Sequence, residues 1–237
     1  MSLRVAGEVV SVVLDVPAGP AGVDDLLPAL QALDDALVRH ATEQAERSGR
    51  RISCRAGCGA CCRQLVPVSE VEARRLAELV RSLPDAERAA VEERFARALE
   101  ALSSNGLLAR LREPEAILDR PERRRVGLEY FSRGVACPFL VNESCSIHPD
   151  RPLACREYLV TSPAQHCANP TPETVDQVEM PTRLSRAFMR FASEEPTKPR
   201  WRPLVLALES TEATADPHPP RSGPELLRAF IALAFEE

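Results

Sequence analysis

The chain has 237 residues, enough for one domain with a substantial core or for two small ones. Its 44% apolar and 27% charged residues are ordinary for a soluble globular protein and exclude a disordered or fibrous chain. The formal net charge of −5 argues against an extended nucleic-acid-binding surface, so nucleic acid is not an expected partner.

The N-terminus does not look like a secretory signal. The apolar run at residues 9–14 is short, and Glu8 and Asp15 flank it. No run approaches the roughly 18 apolar residues needed to span a bilayer. We therefore expect a cytoplasmic protein that has no membrane partner. Disulfides are rare in that reducing compartment, so the eight cysteines indicate metal binding rather than a disulfide scaffold.

The first elements of the chain are a strand and a long helix. Residues 4–15 are rich in Val and predict a strand with a bend at Gly7. From residue 24 to about 48 the apolar residues recur at helical spacing, and Gly49 ends that helix. A loop that carries four cysteines follows.

Two further helices come next. Ser69 and Glu72 have the spacing of a capping box, which predicts a helix start, and Pro84 breaks that helix. A second helix is predicted over residues 84–104, with Asn105-Gly106 as its stop.

The middle of the chain is rich in proline. Between residues 107 and 133 we expect short helices interrupted at Pro114 and Pro121. Residues 136–169 should be mostly irregular, with a turn of helix near Ala154. Such a long irregular segment inside a domain needs a reason to be ordered, and metal ligation would supply one.

The C-terminal third is predicted to be helical again. Residues 171–193 indicate a helix that is interrupted at Pro181, and the apolar run 204–208 indicates a strand that could pair with residues 9–14. Residues 211–224 have the composition of a polar linker, and 225–237 form a closing helix.

The predicted fold class is therefore mainly α with a small β element. We expect a single domain over residues 1–237, with helices around an irregular, cysteine-rich metal-binding core at residues 52–169.

The cysteines form two blocks and none lies elsewhere. The first cysteine block is Cys54, Cys58, Cys61 and Cys62, and the second cysteine block is Cys137, Cys145, Cys155 and Cys167. Thiolate is a soft ligand that suits zinc and iron–sulfur clusters. All eight are candidate metal ligands. The helices between the blocks can return the chain to its start, so we predict one composite centre with Cys137 beside Cys62.

Several features of the centre stay open. Adjacent side chains diverge, so Cys61 and Cys62 rarely point at one small ion, and either one or two sites are compatible with eight thiols. His148 is placed to join Cys145 as a ligand or simply to orient its loop. Zinc and iron–sulfur clusters both accept four thiolates, so the spacing does not choose between them.

The cysteines and their neighbours resemble a known family. Cys-x3-Cys-x2-Cys-Cys is followed by Cys-Pro-Phe-Leu, Cys-x-Ile-His and Arg-Pro-x-x-Cys-Arg, a combination similar to the YkgJ-type cysteine-cluster proteins. The resemblance covers roughly residues 52–167 and includes all eight cysteine positions of that family. Its members are described as zinc- or iron-chelating, and some relatives are linked to flagellin lysine N-methylation. The resemblance therefore implies a metal centre and leaves its biochemical role undefined.

Three functions compete. The leading hypothesis is an iron–sulfur or zinc protein with no assigned catalysis. The second is an S-adenosylmethionine-dependent enzyme, since Cys54, Cys58 and Cys61 have the spacing of radical enzymes. Against it, Ala60 replaces the usual aromatic residue, strand–helix alternation is missing, and no Gly-rich nucleotide loop is present. The third is a structural zinc module for a protein partner.

Overall fold

A computed structural model describes residues 1–114, 117, 120–171, 173–209, 218–219 and 221–235. The α-helices are α1 (Leu27–Arg47), α2 (Glu70–Ser82), α3 (Asp85–Ser103), α4 (Leu107–Arg112), α5 (Arg120–Ser132), α6 (Leu153–Arg156), α7 (Leu184–Phe191) and α8 (Gly223–Phe235). The strands are β1 (Ser2–Val5), β2 (Glu8–Ser11), β3 (Pro20–Ala21), β4 (Pro67–Val68), β5 (Leu140–Val141), β6 (Ser144–Cys145), β7 (Arg202–Pro203) and β8 (Arg221–Ser222). The chain is mainly helical with small antiparallel sheets, as predicted.

The N-terminal strand prediction is corrected. Residues 4–15 do not form one bent strand, because β1 and β2 pair with each other as a hairpin. Ala6 and Gly7 turn the chain with φ of 48° and 85°, the left-handed conformations that a tight two-residue turn requires. The long helix that follows agrees with the prediction, and Gly49, with φ of 78°, ends it.

The helix pair α2 and α3 is confirmed. The Ser69 hydroxyl accepts a hydrogen bond from the Glu72 N–H, and the Glu72 carboxylate accepts one from the Ser69 N–H, which completes the capping box. Gly106, with φ of 70°, separates α3 from α4 as expected. Pro121 does not interrupt a helix. It lies in the first turn of α5, where a missing N–H costs nothing.

The predicted strand at residues 204–208 is wrong, and so is its pairing with residues 9–14. This run forms the 3₁₀ segment Leu204–Glu209, which packs against α2 and α3 with Leu204 to Ala207 buried. A continuous apolar run fits a buried helix as well as a buried strand. Instead, β7 pairs with β4, and β8 pairs with β3.

The predicted helix over residues 171–193 is mostly wrong. In the described part of this range α7 is the one α-helix, because the preceding segment pairs with residues that follow Cys155. Val178 N–H donates to Leu159 C=O at 2.8 Å, and Thr161 N–H donates to Asp176 C=O at 2.9 Å. The closing helix is confirmed as α8. Of the predicted linker, residues 211–217 and 220 lie outside the described residues.

The second cysteine block is irregular as predicted, with α6 as its one turn of α-helix in the described part. A hydrophobic cluster anchors this block to α3, since Phe139 is 1% exposed and its ring meets Phe95 edge to face at 5.4 Å. The Arg94 guanidinium adds a 2.6 Å hydrogen bond to the Pro138 carbonyl. The irregular segment is thus held on a helical frame.

Within the described ranges, no helix is both long enough and apolar enough to cross a membrane.

Candidate metal centre

The two cysteine blocks meet through the backbone. The Cys137 N–H donates to the Cys62 carbonyl at 2.7 Å, so the end of the first block touches the start of the second. At the other end, the Ser53 N–H donates to the Val160 carbonyl at 2.9 Å. The predicted return of the chain, with Cys137 beside Cys62, is confirmed.

Side chains add further links between the blocks. The Arg63 guanidinium donates to both carboxylate oxygens of Glu143, at 2.7 and 3.1 Å, and to the Gly59 carbonyl at 2.8 Å. The Gln64 amide donates to the Tyr158 hydroxyl at 3.1 Å. The first block is therefore tied to both the β5–β6 hairpin and the segment after α6.

Gly59 permits this close approach. A Cβ atom at this position would lie 2.6 Å from Glu143 Oε2 and 2.7 Å from Leu140 Cδ1. Both distances are shorter than van der Waals contacts allow, so the Glu143 and Leu140 side chains would have to move to admit a Cβ atom here.

All eight cysteines line one cavity of about 1490 Å³. Cys167 is buried, the other seven are half-buried, and none forms a disulfide. Residues from two segments that lie far apart in sequence therefore face a common space, which agrees with the predicted composite arrangement.

The thiols fall into two groups within this cavity. Cys137, Cys145 and Cys155, the second thiol group, pack against the hydrophobic cluster that contains Phe139. Burial is the main reason that their pKa values are raised, and the charge of Cys61 raises each pKa further.

Cys54, Cys58 and Cys167 make up the first thiol group. Cys167 lies in the 3₁₀ segment Ala164–Ala168, which packs against the 3₁₀ segment Ala60–Arg63. Charges on Cys54, Cys61 and Cys58 each raise the Cys167 pKa further. Cys61 thus interacts with both groups, and its neighbour Cys62 hydrogen-bonds with it.

Four of the thiols are weak acids in this environment. Burial raises the pKa of Cys137 to about 12 and that of Cys167 to about 11, and it places the Cys155 pKa well above 9.0. The hydrogen bond with Cys62, followed by burial, raises the pKa of Cys61 strongly. Each thiol must therefore release a proton to become a ligand, which a bound cation promotes.

The donor set suits a soft metal, because eight thiols and no competing disulfide surround one space. Among the described side chains, no three or more His, Cys, Asp or Glu are already arranged to hold a metal ion. The residues fit the chemistry of zinc or iron, while the exact ligand set stays a prediction.

Buried carboxylates hold the helix that carries Cys155. Glu72 Oε1 accepts a 2.9 Å hydrogen bond from the Leu153 N–H, at the start of α6. At the other end, Glu157 accepts from the Ser185 N–H at 2.8 Å and from its hydroxyl at 2.7 Å. Sequence reasoning found Glu72 only as a capping residue and missed Glu157, which no local signal marks.

Arg156, which follows Cys155 in the sequence, is buried and makes hydrogen bonds that hold α6 in place. It is 5% exposed, and its guanidinium donates to Asp35 Oδ1 at 2.8 Å and to the Arg151 carbonyl at 2.9 Å. A third hydrogen bond goes to the Pro149 carbonyl. One side chain therefore fixes α6 to α1 and to the loop before it.

The histidines differ in their relation to the cavity. His148 is exposed and lines it, and burial is the largest of the effects that lower its pKa. The ring of His166 instead hydrogen-bonds through Nδ1 to the Thr174 carbonyl at 2.7 Å. His40 and His218 are not among the residues that line the cavity.

A family model matches residues 53–178, which is just over half of the chain. It is the CxxCxxCC family, described as a putative zinc- or iron-chelating domain, and the matched range contains all eight cysteines. No curated protein and no solved structure matches the chain significantly.

Proposed function

The chain belongs to the CxxCxxCC family, and we propose that it binds zinc or an iron–sulfur cluster through thiolates from both cysteine blocks. One observation carries this proposal: eight thiols from two distant segments line the same cavity. Thiols that served only as core side chains would face separate parts of the interior. A bound metal would crosslink the two blocks.

The two thiol groups suggest how the ligands divide. The first group would supply Cys54, Cys58 and Cys167, and the second would supply Cys137, Cys145 and Cys155. Cys61 interacts electrostatically with members of both groups. Cys61 and Cys62 are the two remaining candidate ligands. Divergent side chains of two adjacent residues could then serve one group each, which supports two linked thiolate sites.

The proposed sets of four thiolates would close each metal site as in the structural zinc module, so ligand number does not separate the two hypotheses. Structural zinc sites are closed by four protein ligands, whereas sites that interact with small molecules keep an accessible side. The described sheets are two-stranded and antiparallel, which does not favour the parallel barrel of a radical S-adenosylmethionine enzyme. We therefore favour a metal-binding protein without assigned catalysis over a radical enzyme.

The test begins with anaerobic purification, metal and sulfide analysis, and a visible spectrum. Iron with acid-labile sulfide and a brown colour identifies a cluster, and colourless protein with stoichiometric zinc identifies a zinc centre. Protein without bound zinc or iron, even after reconstitution with each, would contradict the proposal.

Single variants then test the division of ligands. Cys155→Ser and Cys167→Ser remove one thiol from each group, and both should lower the metal content. Cys61→Ser also removes one thiol and should lower the metal content by a similar amount. Ser82→Ala, an exposed site on α2, is the control. Unchanged metal content in both Cys155→Ser and Cys167→Ser would show that the composite site is wrong.

A further inference from the structure

We propose that the cavity also binds an anionic small molecule, through arginines of α7 and basic residues of the segment that follows α7. The ligand class is an organic compound with a phosphate or carboxylate group. This inference concerns side chains other than the thiols, so it does not depend on which metal they hold.

The charge of the cavity lining differs from that of the whole chain. Eight cationic side chains and four carboxylates line it, although the chain has a formal net charge of −5. The cations are Arg55, Arg123, Arg151, Arg183, Arg186, Arg190, Lys198 and Arg200. Cations therefore outnumber carboxylates two to one in this lining, which favours an anion at the part of the cavity that carries no cysteine.

Three of the four lining carboxylates have partners. Glu143 binds Arg63, which lies outside the lining. Glu157 lies 3.8 Å from Arg183, and Glu195 lies 3.6 Å from Lys198, so these two lining cations are already paired. Across the described part of the chain, no carboxylate lies within ion-pair distance of the Arg186, Arg190 or Arg200 guanidinium groups.

A rigid element presents two of these arginines. Arg186 and Arg190 are four residues apart on α7, so they lie on the same face of the helix, and both are exposed. The opposite face is fixed in the core, where Phe188 meets Phe230 with ring centroids 6.2 Å apart. Guanidinium groups on a fixed helix face can bind an oxyanion with two parallel hydrogen bonds.

The following segment folds back towards α7. The Ser193 hydroxyl donates to the Met189 carbonyl at 2.6 Å and accepts from the Arg200 N–H at 2.9 Å. This brings Arg200 and the half-buried Trp201 to the end of α7, and both line the cavity. Basic groups beside an aromatic surface suit an organic anion better than a bare inorganic one.

The arginines of α7 lie on a helix that carries no cysteine, so they do not flank a candidate ligand along the chain. The cavity, at about 1490 Å³, also exceeds the roughly 300–1,000 Å³ of typical small-molecule pockets. It therefore has room for an organic anion in addition to a metal centre.

The test is calorimetric titration at constant ionic strength. Adenosine monophosphate is the phosphate probe with adenosine as its neutral control, and succinate is the carboxylate probe with succinamide as its control. We expect saturable binding of at least one anion and none of its neutral control. The double variant Arg186→Gln/Arg190→Gln should weaken that binding tenfold or more, with unchanged metal content.

The matched control is Arg39→Gln/Arg81→Gln, which removes the same charge from exposed helix positions that do not line the cavity. This control should bind the anion as the wild-type protein does. The proposal is overturned if neither anion binds, if the control weakens binding equally, or if the α7 variant binds normally. It is also overturned if the α7 variant loses metal, because the arginines would then be counter-charges of the thiolates.

Discussion

The carboxylate of Glu72 is fully buried and accepts a hydrogen bond from the Leu153 N–H, 81 residues further along the chain. Its other oxygen accepts from the Ser69 N–H and hydroxyl, both at 2.9 Å. One side chain therefore caps α2 and also binds the N-terminus of α6, which carries Cys155. This contact makes the position of a candidate ligand depend on a helix outside both cysteine blocks.

Replacing Glu72 should destabilise the protein and weaken the centre. Glu72→Ala leaves the Leu153 and Ser69 N–H groups buried without acceptors, at a cost of about 1–3 kcal/mol for each group. We expect the free energy of unfolding in urea to fall by the cost of both groups together, about 2–6 kcal/mol. The metal content should also be lower at equal protein concentration.

Glu78→Ala is the control for Glu72, because Glu78 is an exposed residue of the same helix whose ion pair among the described residues is with Arg75. Its cost should stay below about 1 kcal/mol. Equal stability losses in the two variants would show that the bond to Leu153 has no role in holding α6.

Asp34 should make stability depend on pH. It is fully buried, and within the described residues neither carboxylate oxygen has a hydrogen-bond partner. Burial, followed by the charge of Glu157, raises its pKa from 3.8 to about 9, with Arg156 opposing and Asp35 and Glu72 adding to the shift. The folded state therefore keeps a proton that the unfolded chain releases.

The sign of this linkage is that Asp34 favours folding below about pH 4 and loses that contribution as the pH rises towards 9. The slope is at most about 1.4 kcal/mol per pH unit. Asp34→Asn cannot ionise, so its unfolding free energy minus that of the wild type should increase across this range. Glu46→Gln, an exposed site on α1, should show no such trend. A flat difference for Asp34→Asn would contradict the assignment.

Gly59→Ala should loosen the contact between the two cysteine blocks. The backbone there has φ of −95°, so the cost comes from the new Cβ against Glu143 and Leu140 rather than from backbone strain. Both contacts are with the ends of flexible side chains. We therefore expect a loss near the lower end of the about 1–3 kcal/mol typical of overpacking, measured by urea unfolding.

A double variant isolates this effect. In a Glu143→Ala background the closest clash is gone, so Gly59→Ala should cost clearly less than in the wild type. Gly19→Ala is the control, since a Cβ there meets nothing within 4 Å. A cost that does not change with Glu143→Ala would place the effect elsewhere.

Metal removal should unfold the second cysteine block locally. Residues 136–169 have few large apolar side chains, so thiolate–metal bonds should supply much of their order. After chelation we expect trypsin to cleave after Arg156, which is 5% exposed in the folded chain, while α1 to α3 resist. Adding zinc or reconstituting the cluster should restore protection. An unchanged digestion pattern would show that the block is ordered without metal.

Local features of the sequence are sufficient to predict much of the helical frame. The Ser69–Glu72 capping box, the apolar spacing of α1 and the glycines that end α1 and α3 act between residues a few positions apart. Their structural effect is therefore visible in any short window of sequence. The clustering of the cysteines is local in the same sense, so the sequence alone indicates the candidate metal centre.

Pairings between distant segments could not be predicted in this way. The apolar run at residues 204–208 is compatible with a strand or a buried helix. It forms a 3₁₀ segment because it packs against α2 and α3. Residues 173–183 lost their predicted helix because residues 159–161 offered backbone partners.

The contact between Glu72 and Leu153 depends on tertiary structure in the same way. The capping motif defines only one of the two carboxylate oxygens, and the partner of the other depends on which helix end packs beside it. A hydrogen bond across 81 residues leaves no periodic signal in the sequence, because its two ends share no local turn. The packing of α6 against α1, α7 and β4 brings the N–H group to the carboxylate.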